Sequence, residues 1–88
     1  MSYDVVPSPE FKKIVRKFKR QSELLKAMNK KIERLSADPY AVGGFLTGEL
    51  HGLHATRLIG IYRLIFRIKE DSKIVELVTI DHRGHAYG

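Results

Sequence analysis

The chain opens on a short apolar run, Tyr3 to Val6, that stops at Pro7-Ser8-Pro9. Proline removes the donors a strand needs, so the run reads as a brief first strand. Ser8 has the character of a helix N-cap, with Pro9 at the first helical position and Glu10 in the first turn. Phe11, Ile14, Val15 and Phe18 then recur at the i, i+3, i+4, i+7 spacing of one helix face, and Lys12, Lys13, Arg16, Lys17, Lys19 and Arg20 take the other. The spacing predicts a helix over 9–20. Gln21-Ser22 breaks the pattern. Leu24, Leu25, Met28, Ile32 and Leu35 form a second stripe that ends at Ser36, Asp38 and Pro39. Two amphipathic helices with a short connection make a hairpin whose stripes need a sheet to pack on.

Residues 39–49 read as loop, with Gly43-Gly44 and Gly48 as breakers. From Leu53 the period changes to two. Strands are expected over Leu53–Ile59, Ile61–Ile68 and Ile74–Ile80, with Glu70-Asp71-Ser72-Lys73 as the last turn. The fold class is therefore α+β in the order β-α-α-β-β-β: a small antiparallel sheet, made of a C-terminal three-stranded meander plus the N-terminal strand, with the helical hairpin on one face. Strict alternation puts Tyr62, Leu64, Phe66 and Ile68 toward the helices, together with Val75, Leu77 and Thr79. It puts Arg63 and Arg67 on the other face, with Ile74, Glu76, Val78 and Ile80. Arg67 and Glu76 are then cross-strand neighbours. Arg63 has no partner in this scheme.

Composition narrows the class. The 88 residues make one domain spanning 1–88, with 43% hydrophobic and 30% charged residues, a soluble globular balance. No apolar run approaches the ~20 residues of a membrane span, and the N-terminus lacks an apolar secretory segment. There are no cysteines, which excludes disulfides, thiolate metal sites and a cysteine nucleophile and fits a reducing, cytoplasmic setting. The net charge of +6 is uneven: residues 12–34 hold ten basic and two acidic side chains, a local +8 that leaves −2 for the rest. Such a segment attracts phosphate or an acidic protein surface. A lysine-rich helix is also what a solvated surface looks like, so charge by itself does not decide.

The end of the chain supplies a second signal. Asp81-His82-Arg83-Gly84-His85-Ala86-Tyr87 packs two histidines, an arginine and a tyrosine beyond the last strand. Arginine holds a phosphate through its fork, histidine moves a proton near neutral pH, and tyrosine stacks on a base or donates its hydroxyl. These groups suffice for RNA cleavage without a metal, in which the ribose 2′-oxygen attacks the adjacent phosphorus. A polar terminal tail is the alternative. A four-histidine metal site from His51, His54, His82 and His85 is disfavoured, because strand geometry turns i and i+3 to opposite faces.

On these residues the sequence resembles the RelE/ParE toxin superfamily of type II toxin–antitoxin systems. Leu50-His51-Gly52-Leu53 is similar to the family's Leu-x-Gly-φ start of the second strand. Gly60-Ile61-Tyr62-Arg63-Leu64-Ile65-Phe66 is similar to its Gly-x-Tyr-Arg-φ-φ-Tyr strand. Ile80-Asp81-His82-Arg83 with Tyr87 is similar to its terminal Ile-Gly-His-Arg-x-x-x-Tyr. The resemblance covers nearly the whole chain. It implies a basic ribonuclease that cuts mRNA in the ribosomal A site and a cognate RelB-like antitoxin that blocks it, with no cofactor. It implies that Arg63 and Arg83 contact the scissile phosphate, that Tyr87 stacks or assists proton transfer, and that His82 belongs to the His-Arg pair. Ribosomal RNA would be met through phosphates by Arg57 and by Lys12, Lys13, Arg16, Lys19, Arg20, Lys30, Lys31 and Arg34 of the helices.

One departure stands out. Some RelE members carry a lysine general base on the second strand, where this chain has His54, Thr56 and Arg57. An arginine is too basic for that role, which leaves His54 or His82. The ParE-like branch inhibits DNA gyrase instead of cutting RNA. Gyrase inhibition and an inactive toxin relic that only binds are therefore the alternatives to the nuclease.

Overall fold

The computed structural model describes residues 2–42, 44–45 and 52–82. The expected order is present: β1 (Asp4–Pro7), α1 (Pro9–Lys17), α2 (Ser22–Ala37), a 3-10 turn (Pro39–Ala41), β2 (Gly44–Phe45), β3 (His54–Arg57), β4 (Tyr62–Lys69), a second 3-10 turn (Glu70–Ser72) and β5 (Ile74–His82). The strands form one sheet in the order β1-β5-β4-β3-β2. The two-residue β2 lies inside the segment read as loop; a strand that short has no period to detect. The sheet is mixed and not wholly antiparallel, because β1 pairs parallel to β5. Periodicity records neither which edge a strand joins nor the direction in which it runs along it.

Ser8 organises the start of α1. Its Oγ accepts from Phe11 N at 3.0 Å, which is the N-cap bond, and donates to Val78 O at 3.0 Å. Its own N–H donates to Leu77 O at 2.9 Å. One residue thus ties the end of β1, the first turn of α1 and the middle of β5. The helix stops at Lys17 instead of Arg20, because the Phe18 N–H turns back to Val15 O and the Gln21 N–H to Phe18 O, tightening the chain before α2. Both apolar stripes then face the sheet. Phe11, Met28 and Leu35 pack on Leu64, Phe66, Val75, Leu77 and Ile80 in one buried cluster.

Beyond the hairpin, the Tyr3 and Tyr40 hydroxyls donate to Glu70 Oε1 at 2.9 and 2.7 Å, and Lys73 pairs with its Oε2. These contacts join the first strand, the segment after α2 and the β4–β5 turn. The hydrogen bond from Lys73, reinforced by those from Tyr40 and Tyr3, lowers the Glu70 carboxyl pKa to about 2. Lys73 closes the turn in the left-handed conformation, φ 55°.

The register of β4 against β5 overturns one expectation. Arg67 faces Glu76 and Phe66 faces Leu77, but Ile65 faces Thr79, so Val78 is an extra residue in β5. A bulge of this kind reverses the alternation beyond it. Val75 and Leu77 point to the helices as expected. Ile80 joins them in the core, and Thr79 leaves it for the far face beside Ile65.

Candidate functional site

The same one-residue shift builds the site. With Ile80 turned inward, Asp81 turns to the far face and comes to lie directly across from Arg63. Arg63 Nη2 is 3.5 Å from Asp81 Oδ2; the arginine side chain is 31% exposed and the aspartate 12%. On its other side Arg63 faces Arg57 of β3, which is exposed. Three adjacent strands thus carry a row of two guanidinium groups and one half-buried carboxylate. Like charges directly opposite repel, and Asp81 offsets part of that repulsion. Ala55, Ile65 and Thr79 form the next row. Beyond it Arg67 pairs with Glu76 at 3.5 Å, as the alternation predicts.

His54 stands elsewhere. It is directly across from Phe66, on the helix side, with its ring stacked at 5.3 Å between centroids and 16° between planes. It is 4% exposed, and burial holds its imidazole pKa below the usual value. As a general-base candidate it therefore lies on the opposite side of the sheet from Arg63. Alternate residues of β3 point to opposite sides, so His54 and Thr56 go inward and Arg57 outward.

His82 is the last residue of β5, with its backbone opposite Tyr62. Arg83, Tyr87 and the other tail residues expected at the site lie outside the described residues, as does His51. Lys12, Lys13, Arg16, Lys30 and Arg34 on the helices and Lys19 and Arg20 in the turn between them are exposed, and Lys31 is half-buried. Lys12 and Arg16 also line an open groove of about 400 Å³ with Val5, Phe11, Val15, Met28 and Ile32. Among the described residues no group of three or more His, Cys, Asp or Glu side chains converges, and no helix is long and apolar enough to cross a membrane.

Sequence reasoning missed Asp81. Strict alternation would have buried a carboxylate among Leu64, Phe66 and Leu77, and that misfit was the available signal for a bulge.

A family model described as ParE toxin of type II toxin-antitoxin system, parDE, matches residues 5–87. Toxin RelG of Mycobacterium tuberculosis is 40% identical over 53 residues, and the match spans 60% of this chain and 60% of that protein. Putative toxin RelE4 of Methanocaldococcus jannaschii is 29% identical over 86 residues, covering 97% of this chain and 90% of that protein. Among solved structures, the toxin-antitoxin complex RelBE2 from Mycobacterium tuberculosis matches at a TM-score of 0.80 with 30% identity, over 94% of this chain and 100% of that one. The archaeal RelE-RelB complex from Pyrococcus horikoshii shares the fold at a TM-score of 0.73 and 21% identity, over 97% of this chain and 99% of that one. With nearly its whole length inside the family match, this chain belongs to the ParE toxin family of type II toxin–antitoxin systems, within the RelE/ParE superfamily.

Proposed function

We propose that this toxin is an mRNA endoribonuclease that acts in the ribosomal A site and needs no metal. The observation that carries the reading is the Arg57–Arg63–Asp81 row on the sheet face away from the helices. Arg63 holds a non-bridging oxygen of the scissile phosphate and offsets the charge that develops on it, and Arg83 is assigned the second contact. The ribose 2′-oxygen attacks the phosphorus. The 2′-O–P bond forms as the bond to the 5′-oxygen breaks, leaving a cyclic phosphate and a 5′-hydroxyl. With the His54 ring buried against Phe66, His82 is assigned the proton transfer, and Tyr87 stacks on a base or donates to the leaving oxygen.

The exposed bases of α1 and α2 support docking on ribosomal RNA through phosphates, with no sequence reading. The likeness to the RelBE2 toxin at 30% identity supports a RelB-like antitoxin as the partner. The apolar groove rimmed by Lys12 and Arg16 suits an acidic amphipathic segment of that antitoxin.

Gyrase inhibition is the second reading, favoured by the ParE description of the family model. In vitro translation separates the two. Wild type is expected to cut mRNA inside codons, mapped by primer extension, only when ribosomes are present. Arg63→Ala and Arg83→Ala should each lose cutting by ~10²-fold or more. Intact mRNA beside folded wild-type protein would overturn the nuclease, and a supercoiling assay would then test gyrase.

A further inference from the structure

We infer that Asp81 is a positioning residue: it sets the direction of the Arg63 guanidinium and at the same time opposes phosphate binding. The inference rests on the reading of this face as a phosphodiester site. Asp81 is the acidic member of the Arg57–Arg63–Asp81 row. Here the position carries a carboxylate that is 12% exposed, whose Oδ2 is buried and faces Arg63 Nη2 at 3.5 Å. An Asp this far buried is retained only beside a counter-charge. It reaches Arg63 because Val78 bulges, and Ser8 Oγ holds the Val78 carbonyl. The aspartate and the bulge that aims it form one arrangement.

The charges explain the two effects. Across from Arg63 on the other side stands Arg57, which repels it. Asp81 draws the guanidinium toward β5 and fixes its direction. The separation of 3.5 Å exceeds a closed charge-assisted hydrogen bond of roughly 2.7–2.9 Å, so the hold is mainly Coulombic. A phosphate entering the row meets two positive charges and one negative. The negative charge weakens binding of every phosphate equally, while the orientation it gives Arg63 counts only when the phosphorane forms.

Affinity and rate therefore move in opposite directions when the charge is removed. The probe for affinity is a short 2′-O-methyl RNA, which lacks the attacking hydroxyl and cannot be cut. Asp81→Asn should bind it ~3–10-fold more tightly at low salt, with the gain shrinking as salt rises. In single-turnover cleavage on programmed ribosomes at saturating protein, the same variant should be ~10–100-fold slower than wild type. Asp81→Glu keeps the charge and should return the affinity to the wild-type value. If Asp81→Asn fails to fold, Asp81→Ala carries the same prediction, since it also removes the charge.

Affinity that is unchanged or weaker, or cleavage as fast as wild type, overturns the inference. A merely structural role would lower rate and affinity together. If wild-type protein binds the probe but never cleaves, the nuclease reading has failed. The ion-pair assignment then stands or falls on the affinity of Asp81→Asn.

Discussion

On β4, Leu64 and Phe66 point to the helices and are fully buried, whereas Arg63 and Arg67, each one residue away, point to the far face and pair with Asp81 and Glu76. The helix side joins residues from α1, α2, β4 and β5 in one apolar cluster. On the far side the pairs Arg63–Asp81 and Arg67–Glu76 flank a row of Ala55, Ile65 and Thr79, in which Ile65 is fully buried. Burial of large apolar side chains is worth roughly 1.5–3 kcal/mol each, while an ion pair as exposed as Arg67–Glu76 contributes about 0–1 kcal/mol. The comparison teaches that the apolar core and the charged pairs are carried on neighbouring residues of the same strands. Substitutions on one face should therefore leave the other intact.

The strongest challenge to that separation comes from the core. Phe66→Ala deletes a fully buried ring at the centre of the cluster and should cost about 3–5 kcal/mol in a urea or guanidinium titration. That is a large part of the ~5–15 kcal/mol that holds a domain together. A loss under ~1 kcal/mol would mean that the helices do not pack on this face.

Ser8 lies where the two faces meet. Ser8→Ala removes the N-cap of α1 and the hydroxyl that holds the Val78 carbonyl. It should cost about 1–2 kcal/mol and also slow cleavage, because the bulge that aims Asp81 is loosened. Full cleavage by a destabilised Ser8→Ala protein would show that the faces are independent even here.

The smallest effect concerns His54. Folding lowers its pKa below the ordinary ~6.5, so between the two values the unfolded chain binds more protons than the native one. The stability at stake is fully present above the unfolded value and is lost as pH falls toward the folded one. Denaturation midpoints at pH 7.5 and 5.5 should therefore drop for wild type and drop less for His54→Gln. Equal drops would place the responsible titration elsewhere.

Much of this was legible in the sequence. The 3.6-residue spacing of Phe11, Ile14, Val15 and Phe18 gave α1, Ser8-Pro9-Glu10 gave its start, and alternation gave the Arg67–Glu76 pair. Periodicity also set Arg63 apart from the core. What it lacked was any record of an inserted residue, since Val78 looks like every other valine in a strand. The partner of Arg63 and the turn of Ile80 into the core were lost with it. His54 was misplaced for another reason: in a four-residue strand, which side is inside depends on the neighbouring strand's register, and Phe66 supplies it.

The bulge at Val78 divides β5 into two stretches of opposite parity. Before it, the odd-numbered Val75 and Leu77 face the helices; after it, the even-numbered Ile80 does. A substitution rule learned on Val75 and Leu77 therefore inverts at Thr79 and Asp81. Deleting Val78 alone would leave each residue's chemistry untouched and exchange the sides of Thr79, Ile80 and Asp81, carrying Asp81 into the core and Ile80 out of it. One residue of length, more than any side chain in the strand, fixes that Asp81 lies beside Arg63 and Ile80 beneath the helices.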